Sequence, residues 1–314
     1  KKLVVCCLPI ALISVIMTFA NMIDMLTVNP CIKTAMKASP HTFNSLLSDK
    51  LTTDMLPNFI YGSYTGLAVT VFGLVPTLTA MFGKSILPSL AESCAKNNKK
   101  AMQSGLTKML IVTSIIAIPA GMGIAVLSEP ILRFLFGGRE TEIQVCIMPM
   151  SILGIAVIFL AIATPCFAIL QTLGKPHKAI IIMLAGGIIK LFLNIILIRQ
   201  PIINISGAAI STLVSEVFIC VLSVRSVCKM TDLKPKVSEI FVKPTYAAIM
   251  CSVTAVLSHE TLTKIAHLQI NHRFVTLFSI GIGSTMYFFC LYLLCETPKN
   301  IVNYIFSKKN PQNP

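Results

Sequence analysis

Stretches of about twenty apolar residues recur along the whole of this 314-residue chain, separated by short polar connections. Each is long enough for an α-helix, rising about 1.5 Å per residue, to cross a hydrocarbon layer of about 30 Å. Such a layer offers no water to backbone N–H and C=O groups, so it admits only helices and closed barrels. The runs are continuously apolar, without the short alternating segments of a barrel. Composition agrees: 55% of residues are hydrophobic and 12% charged, against about 25% charged in soluble domains. The expected fold class is therefore all-α, a polytopic transmembrane helical bundle. Eight spans can be read, near Leu3 to Val28, Phe59 to Phe82, Met109 to Leu127, Met148 to Leu173, Ala179 to Ile198, Ile205 to Val227, Thr245 to Leu262 and Arg273 to Cys295.

Eight spans place both termini on one side, together with the loops after spans two, four and six. Seventeen Lys and Arg fall on that side and eight on the other. Positive-inside bias makes the rich side cytoplasmic, so both termini of the chain are expected there. The net charge of +14 is spread over short loops and not gathered on one folded surface, which argues against nucleic acid and fits attraction to anionic membrane lipids. Seven of the eleven cysteines lie inside spans and none forms a CxxC pair; packing residues are the simpler reading. The stretch HETLTKIAH, from His259, lacks HExxH spacing, so no metal site is expected. No phosphate-binding loop, nucleophile elbow or dinucleotide fingerprint occurs, and every loop is too short for a catalytic domain.

Two features rise above this background. Pro9, Pro76, Pro119 and Pro165 interrupt spans, while Gly62 with Gly66, Gly121 with Gly123, and Gly186 with Gly187 thin helix surfaces. These residues suit either close packing or hinges in a bundle that changes shape; Pro9, Pro76, Pro119, Pro165, Gly186 and Gly187 are the hinge candidates. The second feature is a short inventory of ionisable groups inside spans: Asp24, Lys190 and Glu216. A charge at that depth is costly and normally marks a pair or a site. Lys190 and Asn194, four apart, share one face of span five, as Asn21 and Asp24 do on span one. Lys190 precedes the turn at Pro201 and Ile202 by about as many residues as Glu216 follows it. That level placement permits a structural Lys190–Glu216 ion pair. It equally permits Lys190 to line a cavity and meet an anionic ligand, with Glu216 or Asp24 tuning or coupling it. Asp24, toward the outer end of its span, is also compatible with simple solvation.

Four ordered blocks carry a resemblance: IYGSYTGLAVTVFGLVPTLTAMFGKSILPSLAE (Ile60 to Glu92), IPAGMGIAVLSEPILRFLFGG (Ile118 to Gly138), ILQTLGKPHKA (Ile169 to Ala179), and GGIIKLFLNIILI with ISGAAIST (Gly186 to Thr212). They resemble stage V sporulation protein B-like and polysaccharide-export flippases of the multidrug, oligosaccharidyl-lipid and polysaccharide exporter superfamily. The resemblance implies helices seven to fourteen of a two-lobed transporter. Residues 1–228 would form a six-helix C-terminal lobe, 229–243 a basic linker, 244–306 two additional helices and 307–314 a basic tail. It implies a C-terminal fragment whose partner is the missing N-terminal lobe, in keeping with a chain that begins without Met. The implied activity is movement of a polyprenyl-diphosphate-linked saccharide from the cytoplasmic to the outer leaflet of a bacterial plasma membrane by alternating access. No covalent chemistry or cofactor is implied; the drive would be the membrane potential or a coupled cation. The substrate-binding candidates are then Lys190, Asn194, Asp24 and Glu216. A cation-coupled multidrug exporter is the alternative, for which acidic cavity residues would matter. An intramembrane enzyme acting on polyprenyl phosphates is more remote, resting on Arg133 and Arg139 near Glu140 and Glu142.

Overall fold

A computed structural model describes residues 22–39, 52–96, 98–232, 238–266 and 272–294. Helix α1 occupies residues 22–38. It is followed by α2 (Leu56–Ser63), a π-helical stretch (Tyr64–Val69) and α3 (Thr70–Ala95), then α4 (Lys99–Val126), α5 (Ser128–Phe136) and α6 (Glu140–Thr172). The remaining helices are α7 (Pro176–Leu197), α8 (Ser206–Thr231), α9 (Lys243–Ala266), entered through a second π-helical stretch (Ser238–Val242), and α10 (His272–Leu294). Seven helices among the described residues are long and apolar enough to cross a membrane. The first expected span, with Pro9, lies mostly outside the described residues, as does the 307–314 tail. Where α1 is described it continues past Val28 to residue 38.

Several helices begin earlier than their apolar cores. α4 starts at Lys99, ten residues before the run at Met109, because Asn98 caps it: its side chain accepts a hydrogen bond from the Ala101 N–H at 3.1 Å. α6 starts at Glu140 and carries Glu140 and Glu142 in its first turn, where carboxylates oppose the positive end of the helix dipole. α5 was not expected at all. At nine residues it is too short to span, and it connects α4 to α6 with Ser128 and Leu132 turned inward. The α6–α7 connection is tight: Gly174 adopts φ +70°, and Lys175 N–H returns to the Leu170 carbonyl at 3.0 Å. Glycine takes that conformation without steric cost, and Pro176 then opens α7 at a position where its missing N–H is harmless.

α6 is the central post, packed by α8, α4, α3 and α5. Ile143, Cys146, Met150, Leu153 and Ala156 on α6 join Tyr64, Leu67 and Ala68 of the π-helical stretch in the main core cluster. A second cluster, around Leu106, Leu110, Phe167 and Ile182, fills the other half of the bundle. α9 and α10 pair with each other and attach through α4, where Tyr287 Oη donates to the Ile115 carbonyl at 2.9 Å.

The glycines divide by role. A Cβ on Gly154 would come within 2.5 Å of Ala125 N, and one on Gly121 within 2.6 Å of the Gly154 carbonyl, so α4 and α6 touch backbone to backbone. A Cβ on Gly186 would strike Ile219 of α8. Gly62 and Gly66 behave differently, since a Cβ there would meet nothing within 4 Å. These two glycines are exposed and do not thin a packing surface. The opposite face of their stretch is buried through Ser63, Tyr64, Leu67 and Ala68, and the helix there winds into the π-helical stretch, with Thr65 and Thr70 hydroxyls donating to the carbonyls of Tyr61 and Gly66. Pro76, Pro119 and Pro165 lie within continuous helices α3, α4 and α6.

The two ends of the bundle are distinct. At one, Lys99 Nζ lies 3.1 Å from Asp232 Oδ2 and Gln103 donates to the Thr231 carbonyl, joining the start of α4 to the end of α8. At the other, Arg133 bridges Glu129 and Glu140 at 3.0 and 2.6 Å, beside the end of α9 and the start of α10. This alternation has the same order as the basic-rich and basic-poor loops.

Candidate functional site

Three helices converge on one buried polar network. Lys190 Nζ on α7 donates to Asp24 Oδ2 on α1 at 2.7 Å. One turn further along α7, Asn194 Nδ2 donates to Asp24 Oδ1 at 2.9 Å and to Thr27 Oγ1 at 3.1 Å. From α8, Ser211 Oγ lies within hydrogen-bond reach of both Asn194 Oδ1 and the Ala208 carbonyl. Lys190 is 9% exposed, Asp24 8% and Asn194 0%. Each helix contributes for a simple reason: residues three and four apart share a face, so Asp24 with Thr27, and Lys190 with Asn194, present two polar groups side by side.

This arrangement removes two of the alternatives that the sequence leaves open. Lys190 does not pair with Glu216: its salt bridge is to Asp24. Nor is Asp24 solvated at a span end, because it is buried between α1 and α7. The level placement of Lys190 and Glu216 does hold, for both line one cavity. Depth follows from counting residues to the hairpin. The partner was chosen by a third helix, which such counting cannot see. Thr27 and Ser211 were missed altogether, although Thr27 stands three residues after Asp24 and Ser211 lies within ISGAAIST.

The cavity has a volume of about 450 Å³ and is walled by α3, α6, α7 and α8. Lys190, Glu216, Thr212, Ser215 and Thr77 give it polar groups, and Phe72, Phe167, Met183 and Ile219 give it apolar ones. Gly186 and Gly187 form part of its α7 wall, so the hinge candidates on α7 are also cavity residues. Glu216 Oε2 is buried without a hydrogen-bond partner. Lys190 has three N–H donors; one is directed at Asp24.

A larger cavity, about 710 Å³, lies at the Arg133 end between α5, α6, α9 and α10. Size alone would favour it. Its charged rim, however, is a surface network: Arg133, Glu129 and Glu140 are each 43–57% exposed at the side chain. Hydrogen bonds from Arg133 to Glu140 and Glu129 hold its guanidinium charged and raise its pKa. Arg139, from the remote enzyme reading, takes no part in these ion pairs. Among the described residues no three His, Cys, Asp or Glu side chains gather as a metal-binding group. Buried charge beside a cavity is the rarer feature in a membrane bundle, and it singles out the α7–α8 site.

Comparison with known proteins places this geometry. Residues 59–277 match the family model "Lipid II flippase MurJ". Among curated proteins, the chain is 27% identical over 136 residues to "Lipid II flippase MurJ" of Bacillus subtilis, covering 43% of this chain and 25% of that protein. It is 22% identical over 182 residues to "Stage V sporulation protein B" of the same organism, covering 57% of this chain and 34% of that one. These matches span only a quarter to a third of the relatives' own lengths. The fold is similar to the solved structure "Lipid II flippase MurJ, inward closed conformation", with a TM-score of 0.62 at 17% identity over 76% of this chain and 49% of that one. An all-helical multi-pass bundle with this fold, matched by the family model over most of its length, belongs to the lipid II flippase MurJ family.

Proposed function

We propose that this chain supplies the second half of a flippase for polyprenyl-diphosphate-linked saccharides, moving them from the cytoplasmic to the outer leaflet by alternating access against a first lobe. The family match over residues 59–277 carries the reading. The physical task is to carry a polar, anionic head group through hydrocarbon while its lipid tail stays in the bilayer, and it needs a protein-lined polar space at mid-depth. In this reading the space is the α3–α6–α7–α8 cavity. Lys190 meets the diphosphate with the N–H donors not directed at Asp24, and Asn194 and Asp24 hold the lysine in place. The inside-negative potential favours outward movement of an anion by about 2.3 kcal/mol per charge per 100 mV. Both termini of the chain lie in the cytoplasm of a bacterial cell, on the basic-rich side.

Glu216 on the same wall favours a second reading, a cationic ligand. The two are separated by reconstituting the purified chain in phosphatidylcholine vesicles and titrating inorganic pyrophosphate, then tetraphenylphosphonium. Pyrophosphate binding that is lost in Lys190→Gln supports the anion reading. Binding of the organic cation alone, lost in Glu216→Gln, overturns it.

A further inference from the structure

We propose that Glu216 is a proton-binding site, taking up one proton from the cavity it lines. The charges around the cavity do not balance: Glu216 is half-buried on its wall. Lys190 is matched by Asp24 at 2.7 Å, and Asn194 holds the other oxygen of Asp24 at 2.9 Å. An ionised Glu216 would add a second carboxylate against the one ammonium. Its Oε2 is buried and has no hydrogen-bond partner, whereas a carboxylate kept charged inside a protein is normally paired and fully hydrogen-bonded. The adjoining hydroxyls do not donate to it. Ser215 Oγ donates to the Thr212 carbonyl, Thr212 Oγ1 to the Ala208 carbonyl and Thr77 Oγ1 to the Gly73 carbonyl.

The helices around Glu216 offer few other charges. From α7 the facing group is Lys190, backed by Asp24 of α1; from α3 and α6 the cavity wall presents Phe72, Gly73, Thr77, Leu160 and Phe167, none of which titrates. On its own helix the nearest titratable group is the Cys220 thiol, one turn on, with Cys166 of α6 beyond it. A proton suits this setting better than a metal cation. It requires one oxygen and no coordination shell, and the ammonium of Lys190 on the same wall would repel a second fixed cation. The carboxyl, once protonated, also becomes a hydrogen-bond donor into the cavity. This inference concerns the chain alone and does not depend on what the cavity transports.

Dicyclohexylcarbodiimide provides the test, because the apolar reagent adds across its N=C bond only to a protonated carboxyl and leaves a stable N-acylurea. The purified wild-type chain in phosphatidylcholine vesicles is treated between about pH 5 and pH 9, and the adduct is located by peptide mass spectrometry. The expected adduct is on Glu216, with its rate constant at low pH and falling about tenfold per pH unit above the titration point. Asp24, with its two carboxylate oxygens engaged by Lys190 and Asn194, serves as the internal control. Replacing choline with sodium or potassium leaves the rate unchanged. Absence of a Glu216 adduct throughout the range overturns the proposal, as does protection by sodium or potassium, or modification of Asp24 in its place.

Discussion

Removing the ammonium from the α1–α7 network has a consequence that can be worked from its geometry. The Lys190–Asp24 contact of 2.7 Å corresponds to an attraction of about 6 kcal/mol at an effective dielectric constant of about 20, before the cost of taking both ions out of water. Breaking a buried pair by deleting one partner costs about 3 to 5 kcal/mol, because the survivor is left uncompensated. Lys190→Met and Asp24→Asn should therefore each destabilise the fold by about that amount. The amide introduced by Asp24→Asn retains a hydrogen-bonding group for Asn194. The double variant Asp24→Asn/Lys190→Met removes both charges together and should be far less unstable than the sum, giving a coupling of about 3 kcal/mol or more. Reversible unfolding in mixed detergent micelles, followed by circular dichroism, yields all four stabilities. Additive losses, with a coupling below about 0.5 kcal/mol, would refute the reasoning and reduce the pair to two independent polar groups.

Other consequences follow from packing and hydrogen bonding. Gly154→Ala places a methyl 2.5 Å from Ala125 N and 2.9 Å from the Gly121 carbonyl; since both neighbours are backbone, α4 and α6 must separate, costing about 1 to 3 kcal/mol in the same unfolding assay. Gly186→Ala meets a side chain, Ile219, so its loss should be largely restored by adding Ile219→Ala. Ser211→Ala removes the α8 donor from the fully buried Asn194 carbonyl and should cost about 1 to 3 kcal/mol, with Ser211→Thr retaining part of the stability.

The membrane class and seven of the helices were legible because long apolar runs leave the backbone no choice but a helix. Lys190 was legible for the same reason, as a charge where the pattern allows none, and Asn194 followed from helical spacing. Its partner was not. Asp24 lies 166 residues earlier in the chain, and nothing in the local periodicity says that α1 packs beside α7, so hairpin counting could offer Glu216 as a possible partner but could not decide between it and Asp24. α5 escaped because hydropathy windows respond to runs of about twenty residues and this helix has nine. The glycines of GSYTG suit close packing or a hinge by sequence alone; Gly66 lies in a stretch where the helix widens to π geometry, just after Gly62, a feature with no periodic signature of its own.

Sided transport of a lipid-linked saccharide tests the central proposal most directly. The gene product containing this chain is reconstituted in vesicles carrying a fluorescent polyprenyl-diphosphate saccharide, and the fraction reaching the opposite leaflet is read by quenching with an impermeant reductant. The account predicts translocation that is accelerated by a membrane potential, and reduced to the protein-free rate in a folded Lys190→Gln variant. Translocation at the wild-type rate in that variant, or none in the wild type with or without a potential, would contradict it.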